Sequence, residues 1–156
     1  MLTCPRTSGQ RSQALSQTKP TLVIPREFVL EVCNLSRETG IEQAGFLLGR
    51  VEDNEAVAEA LLLGRNIDNS PTSFTIDPNA VIDAIKLEEE GVAEVLALIH
   101  AHPCRPEPSP ADLRGWEAWP VPWVIVSSTD CSARAWCGVE ELVLEVIDTQ
   151  ALFGEE

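Results

Sequence analysis

The sequence predicts a single mixed α/β domain, a partly antiparallel sheet with helices packed on it. Three observations carry this. Stretches with apolar residues at helical spacing alternate with short apolar runs, in the order α-β-β-α-β-α-β-β-β. No internal repeat divides the chain, and its 156 residues are enough for one domain with a proper core. Two of the apolar runs meet around a Glu-Asp-Asn turn, so at least part of the sheet is antiparallel.

The elements follow in order. Residues 1–20 (MLTCPRTSGQRSQALSQTKP) are polar and rich in Ser and Gln, which reads as a disordered leader. They lack the continuous apolar stretch of a secretory signal, and no run approaches the ~18 apolar residues of a membrane helix, so a cytoplasmic protein is expected. Pro25 to Gly40 reads as a helix: proline in its first turn, Phe28, Val32 and Leu35 at helical spacing, glycine as its stop. The stretch GFLLGRVEDNEAVAEALLLGRN then forms a hairpin turning at Glu52-Asp53-Asn54, and NIDNSPTSFTI is a loop leading to a short strand. Asp77 caps a second helix with Pro78 at its first position, Val81, Ile82 and Ile85 as its apolar face and Gly91 as its end. Glu94 to His102 is a strand whose unbroken Val-Leu-Ala-Leu-Ile predicts burial on both faces. A short helix over Ser109–Trp119 precedes strands near 121–128, 131–137 and 140–147.

Charge narrows the partners. Eleven basic against 25 acidic residues give a net charge of −14, which repels phosphate backbones and argues against nucleic acid and anionic membrane surfaces. The five cysteines (4, 33, 104, 131 and 137) are odd in number and contain no CxxC pair, so they read as reduced thiols used for packing.

Both histidines of the chain stand at the end of the apolar strand, as His100-Ala101-His102-Pro103. Side chains two residues apart on a strand share a face, about 7 Å apart along it, so the two imidazoles can converge on one ion. Glu107 in the following loop and Asp112 in the next helix are the nearest acids. Two imidazoles, one carboxylate and a position left to water are the donor set of a catalytic zinc site, although iron and manganese also accept such donors. The pair can equally be the buried end of a strand, and Ser109-Pro110-Ala111-Asp112 is also a capped helix start. A metal hydrolase further needs a base other than its ligands. Without a third histidine it must be a carboxylate, and the residues alone leave 25 candidates. Cys104 offers a rival nucleophile beside His102, but no Asn or Asp orienter is evident and Pro103 restricts the geometry. Trp116, Trp119 and Trp123 flank the short helix and read as core packing.

Taken together, His100-Ala101-His102-Pro103, Ser109-x-x-Asp112 and an upstream Glu42-x-x-Gly45-x-Leu47-x-Gly49 resemble the JAMM metalloproteases, also called JAB, MPN or Mov34 domains. The resemblance spans about residues 21–153 and implies a single-domain JAMM (MPN) fold, cytidine-deaminase-like in its sheet and flanking helices. It implies that His100, His102 and Asp112 bind Zn2+, that Glu42 is the general acid/base, and that Ser109 stabilises the oxyanion. Two features depart from the family pattern. Ala101 stands where serine or threonine is usual, and nine residues separate His102 from Asp112, one fewer than the commonest spacing. Only about fifty residues separate Gly49 from His100, so the chain resembles a minimal prokaryotic form. The activity implied is hydrolysis of an amide or isopeptide bond after the C-terminus of a ubiquitin-like or sulfur-carrier protein; a non-catalytic MPN scaffold is the alternative.

Overall fold

A computed structural model describes residues 1–4, 19–70, 73–103 and 105–148. Three helices, α1 (Arg26–Thr39), α2 (Pro78–Glu89) and α3 (Pro110–Ala118), cover an eight-stranded sheet. The strands are β1 (Thr21–Pro25), β2 (Gln43–Glu52), β3 (Glu55–Gly64), β4 (Glu94–His102), β5 (Trp123–Ser127), β6 (Ala133–Cys137), β7 (Glu140–Leu142) and β8 (Leu144–Ile147). Their order across the sheet is β7-β6-β5-β4-β2-β3-β1-β8, with four antiparallel and three parallel pairings.

The hairpin forms where expected: Asp53 and Asn54 both take positive φ, as a two-residue turn matched to strand twist requires. Gly45 and Gly49 on β2 are sites of close approach. A Cβ at Gly49 would stand 1.9 Å from Val57 O, and one at Gly45 would stand 2.7 Å from Leu62 O. The β2–β3 register shifts between Leu48 and Gly49, so the glycine sits at a bulge.

Each face of the sheet has its own core. Ala97, Ile99 and Ala101 of β4 pack with Val32 and Cys33 of α1, while Val95 and Leu98 pack with Phe46, Ala84 and Trp123 on the face of α2 and α3. This is the expected burial of β4 on both sides. It also places Ala101 away from the histidines, within the α1 core.

Several expectations are corrected. The apolar stretch Thr21–Pro25 is a strand, parallel to both β3 and β8, and Pro25 ends it while serving as N-cap of α1. The strand expected over 140–147 is two strands, separated by Val143 and lying at opposite edges of the sheet. One residue can join those edges only if the sheet curls, and Leu22 N donates to Val143 O at 3.0 Å where they meet. On α2 the buried residues are Ala80 and Ala84, whereas Ile82 (53 % exposed) and Ile85 face outward. The small alanines let the helix lie close to the sheet.

Residues 1–4, assigned to the leader, lie on the domain: Leu2 N donates to Val95 O and Cys4 N to Pro120 O, both at 2.8 Å. The cysteine expectation also fails. Cys4 is bonded to Cys137 and Cys33 to Cys131, partners 133 and 98 positions apart, which no local spacing announces. Cys104 lies outside the described residues.

Candidate metal centre

The site lies at the C-terminal end of β4, where three elements meet. β4 and β5 are parallel neighbours, so the chain must cross over between them, and α3 lies within that connection. The crossover sets the N-terminus of α3 beside the end of β4. β2 runs antiparallel to β4 with Gln43 opposite Ala101, which brings Glu42, one residue earlier, to the same end.

His100 and His102 project from the face of Leu98, their ring centroids 5.1 Å apart. Asp112 meets both of them. Its Oδ1 is 3.2 Å from His100 Nε2 and its Oδ2 is 3.4 Å from His102 Nε2. A capping box aims this carboxylate: Ser109 N donates to Asp112 Oδ2 at 2.9 Å, and Asp112 N donates to Ser109 Oγ at 3.1 Å. Helix capping and site construction are therefore one arrangement. Glu107, the other acid near the histidines in the sequence, is half-exposed and paired with Arg134 at 3.2 Å. Glu42 Oε1 lies 3.6 Å from His100 Nδ1, and the residue is buried.

The electrostatics follow from burial and these contacts. Burial favours neutral His100, but the carboxylates of Asp112 and Glu42 outweigh it and raise the imidazole pKa above its ordinary value. Burial likewise opposes ionised Asp112, yet His100, His102 and the Ser109 amide hold it well below the usual carboxylate range. Both ring nitrogens of His100 are fully buried and form no hydrogen bond among the described residues. Buried polar atoms are normally satisfied, and two such nitrogens facing carboxylates suit a cation. One donor atom from each of His100, His102 and Asp112 lies within 4.8 Å of the others, so the three could hold a metal ion.

Aromatic rings wall the site. Phe74 stacks on His100 at 4.6 Å, and Trp123 meets it edge-on at 5.6 Å. A largely apolar cavity of about 280 Å³ opens beside Glu42 and Asp112, lined in part by Phe74, Leu98, Trp119 and Trp123. Trp119 and Trp123 thus serve the core and the cleft together.

Two residues of this environment have no counterpart in the motifs, Phe74 and Asn66. Asn66 is 3 % exposed and its amide donates to Glu42 O at 2.8 Å. The one available signal was the crowding of polar residues in the loop before α2, which does not single either out.

Residues 30–137 match the family model described as prokaryotic homologs of the JAB domain. Over 117 residues the chain is 33 % identical to a desampylase of Pyrococcus furiosus, covering 74 % of this chain and 80 % of that protein. Over 131 residues it is 36 % identical to a probable TtuB-protein conjugate cleaving protease of Thermus thermophilus, covering 81 % and 83 %. Among solved structures, a protein from Desulfitobacterium hafniense aligns with a TM-score of 0.69 at 23 % identity, over 81 % of this chain and 93 % of that one. A JAB1/MPN domain protein from Archaeoglobus fulgidus aligns at 0.52 and 19 % identity, over 80 % and 98 %. These two likenesses are of fold.

Proposed function

The chain belongs to the family of prokaryotic homologues of the JAB domain, and from that membership we propose that it is a zinc-dependent peptidase or isopeptidase. Its substrate is the amide bond that joins the C-terminus of a ubiquitin-like or sulfur-carrier protein to a second group. The observation that carries this reading is the convergence of His100, His102 and Asp112, with Glu42 beside them, in a chain similar to two conjugate-processing proteins.

Two imidazoles and one carboxylate suit zinc with a position left open for water. Zinc, when bound, supplies the Lewis acidity that lowers the pKa of a water to about 7. Glu42 takes the proton of the attacking water and delivers it to the leaving amine. Ser109 Oγ accepts from Asp112 N with one lone pair, so its own proton stays available for the oxyanion of the tetrahedral intermediate. Phe74 and Trp123 pack on two sides of His100 and hold its ring in place.

A linear fusion of a sulfur carrier ending in two glycines to a fluorescent reporter tests the activity. Wild-type protein loaded with zinc cleaves it after the glycines, and Glu42→Ala and His100→Ala do not. Unchanged cleavage by those variants would overturn the assignment. A scaffold has no use for two buried imidazoles set against carboxylates, and metal analysis separates the two readings. The enzyme holds about one zinc per chain and loses it in His102→Ala; a folded protein that stays metal-free when offered zinc or iron is a scaffold.

A further inference from the structure

We infer that Asn66 is a positioning residue of the hydrolytic site, one side chain that sets both the backbone of Glu42 and the loop that lays Phe74 on His100. The inference rests on the reading of Glu42 as the base.

A side-chain amide has two N–H donors and one carbonyl oxygen with two lone pairs. Asn66 uses all four. Nδ2 donates to Glu42 O at 2.8 Å and to Ser73 O at 2.9 Å. Oδ1 accepts from Asp68 N at 3.0 Å and Thr75 N at 3.1 Å. The residue is 3 % exposed, so no water substitutes for these partners at low cost.

The partners are what give the arrangement its meaning. Glu42 lies just before β2, outside the sheet ladder, and its backbone is held from the loop instead. Its N–H donates to Ser70 O at 2.9 Å and its C=O accepts from Asn66. With both polar groups pinned, the direction of its Cα–Cβ bond is fixed, and with it the reach of the carboxylate towards His100 Nδ1, 3.6 Å away. On the other side, Ser73 O and Thr75 N bracket Phe74, whose ring stacks on His100. The amide therefore joins the base to the ring on one histidine, although neither neighbours it in the chain. Aspartate has the same shape, but it would set oxygen against the carbonyls of Glu42 and Ser73 in place of two N–H donors.

The test is a double-mutant cycle on the reporter fusion with zinc-loaded protein. Asn66→Ala and Asn66→Asp are each made in wild type and in Glu42→Gln. Acting through the base, either substitution lowers kcat about 10–100-fold in wild type, since a 1 Å misplacement can cost about 10²-fold. KM stays within about threefold and zinc content is retained, the pattern of an interaction made only in the transition state. In Glu42→Gln the same substitutions change the residual rate less than about threefold, because the group they position is gone. Equal losses in both backgrounds, an unchanged kcat in wild type, or failure of both variants to fold would each make Asn66 merely structural and overturn the inference. Glu42→Gln at the wild-type rate would instead defeat the base assignment itself. A zinc-loaded Glu42→Gln that is slow, combined with additive Asn66 variants, would defeat only the inference.

Discussion

Glu42 Oε1 and His100 Nδ1 stand 3.6 Å apart at the open end of two antiparallel neighbours, β2 and β4. On its other side His100 meets Asp112 at 3.2 Å, so a wholly buried imidazole is held between two carboxylates. This sandwich governs how the metal-free protein responds to pH.

Because the folded pKa of His100 is raised above 6.5, its contribution to stability is fully present below that value and is lost as pH rises through the raised one. Asp112, lowered from 3.8, contributes stability above that value that is lost as pH falls through the lowered one. The urea midpoint of metal-free protein is therefore expected to fall as pH rises above about 6.5. A metal needs the neutral imidazole, so zinc uptake near pH 6 to 7 releases protons and tightens as pH rises. Titration calorimetry in buffers of different ionisation enthalpy counts those protons; a urea midpoint that climbs as pH rises above about 6.5 contradicts the electrostatic account.

Ser109 is assigned two roles that substitution can separate. Ser109→Gly keeps most of the capping, at a cost of a few tenths of a kcal/mol, roughly, but removes the hydroxyl. Its melting temperature is expected near wild type while kcat falls about 10²–10³-fold. Ser109→Ala loses the cap as well, about 1 kcal/mol, with a similar kcat. If Ser109→Gly cleaves the reporter fusion normally, the serine is a cap alone.

The two disulfides close very long loops, with partners 133 and 98 positions apart. Replacing Cys33 and Cys131 by serine, or Cys4 and Cys137, is expected to cost about 2–5 kcal/mol per bridge in denaturant unfolding. A phosphine reductant should shift the wild-type transition in the same direction. Identical unfolding curves with and without the reductant would show that the bridges contribute nothing.

Gly49 belongs to the upstream motif, yet its contacts assign it to the fold. A Cβ there would stand 1.9 Å from Val57 O and 3.0 Å from a methyl of Leu96. Gly49→Ala is expected to destabilise by about 1–3 kcal/mol, as overpacking does, and the zinc content of the folded fraction should stay at wild-type level. Thermal melting beside metal analysis checks both.

Much of the site could be read from local chemistry. That His100 and His102 share a face follows from the two-residue period of a strand, and the expected capping box of Ser109 and Asp112 is the observed one. The hairpin turn at Asp53-Asn54 and the two-sided burial of β4 were equally legible. All of these depend on residues within one turn or one strand of each other.

What the sequence by itself determined is therefore the set of elements and the chemistry each one carries at its ends. Tertiary structure alone decided which ends meet. The motif resemblance already names Glu42 and Asp112. The β2–β4 register is what brings Glu42 beside His100, and the turn of the chain after β4 is what brings Asp112 there and leaves Glu107 to Arg134. Long-range packing paired the cysteines, split residues 140–147 between two sheet edges, and made Asn66 the joint between Glu42 and the loop of Phe74. The physical reason is range. Periodicity and capping are settled by steric and hydrogen-bonding preferences within a few residues, whereas strand order and register depend on burying both faces of the whole sheet at once.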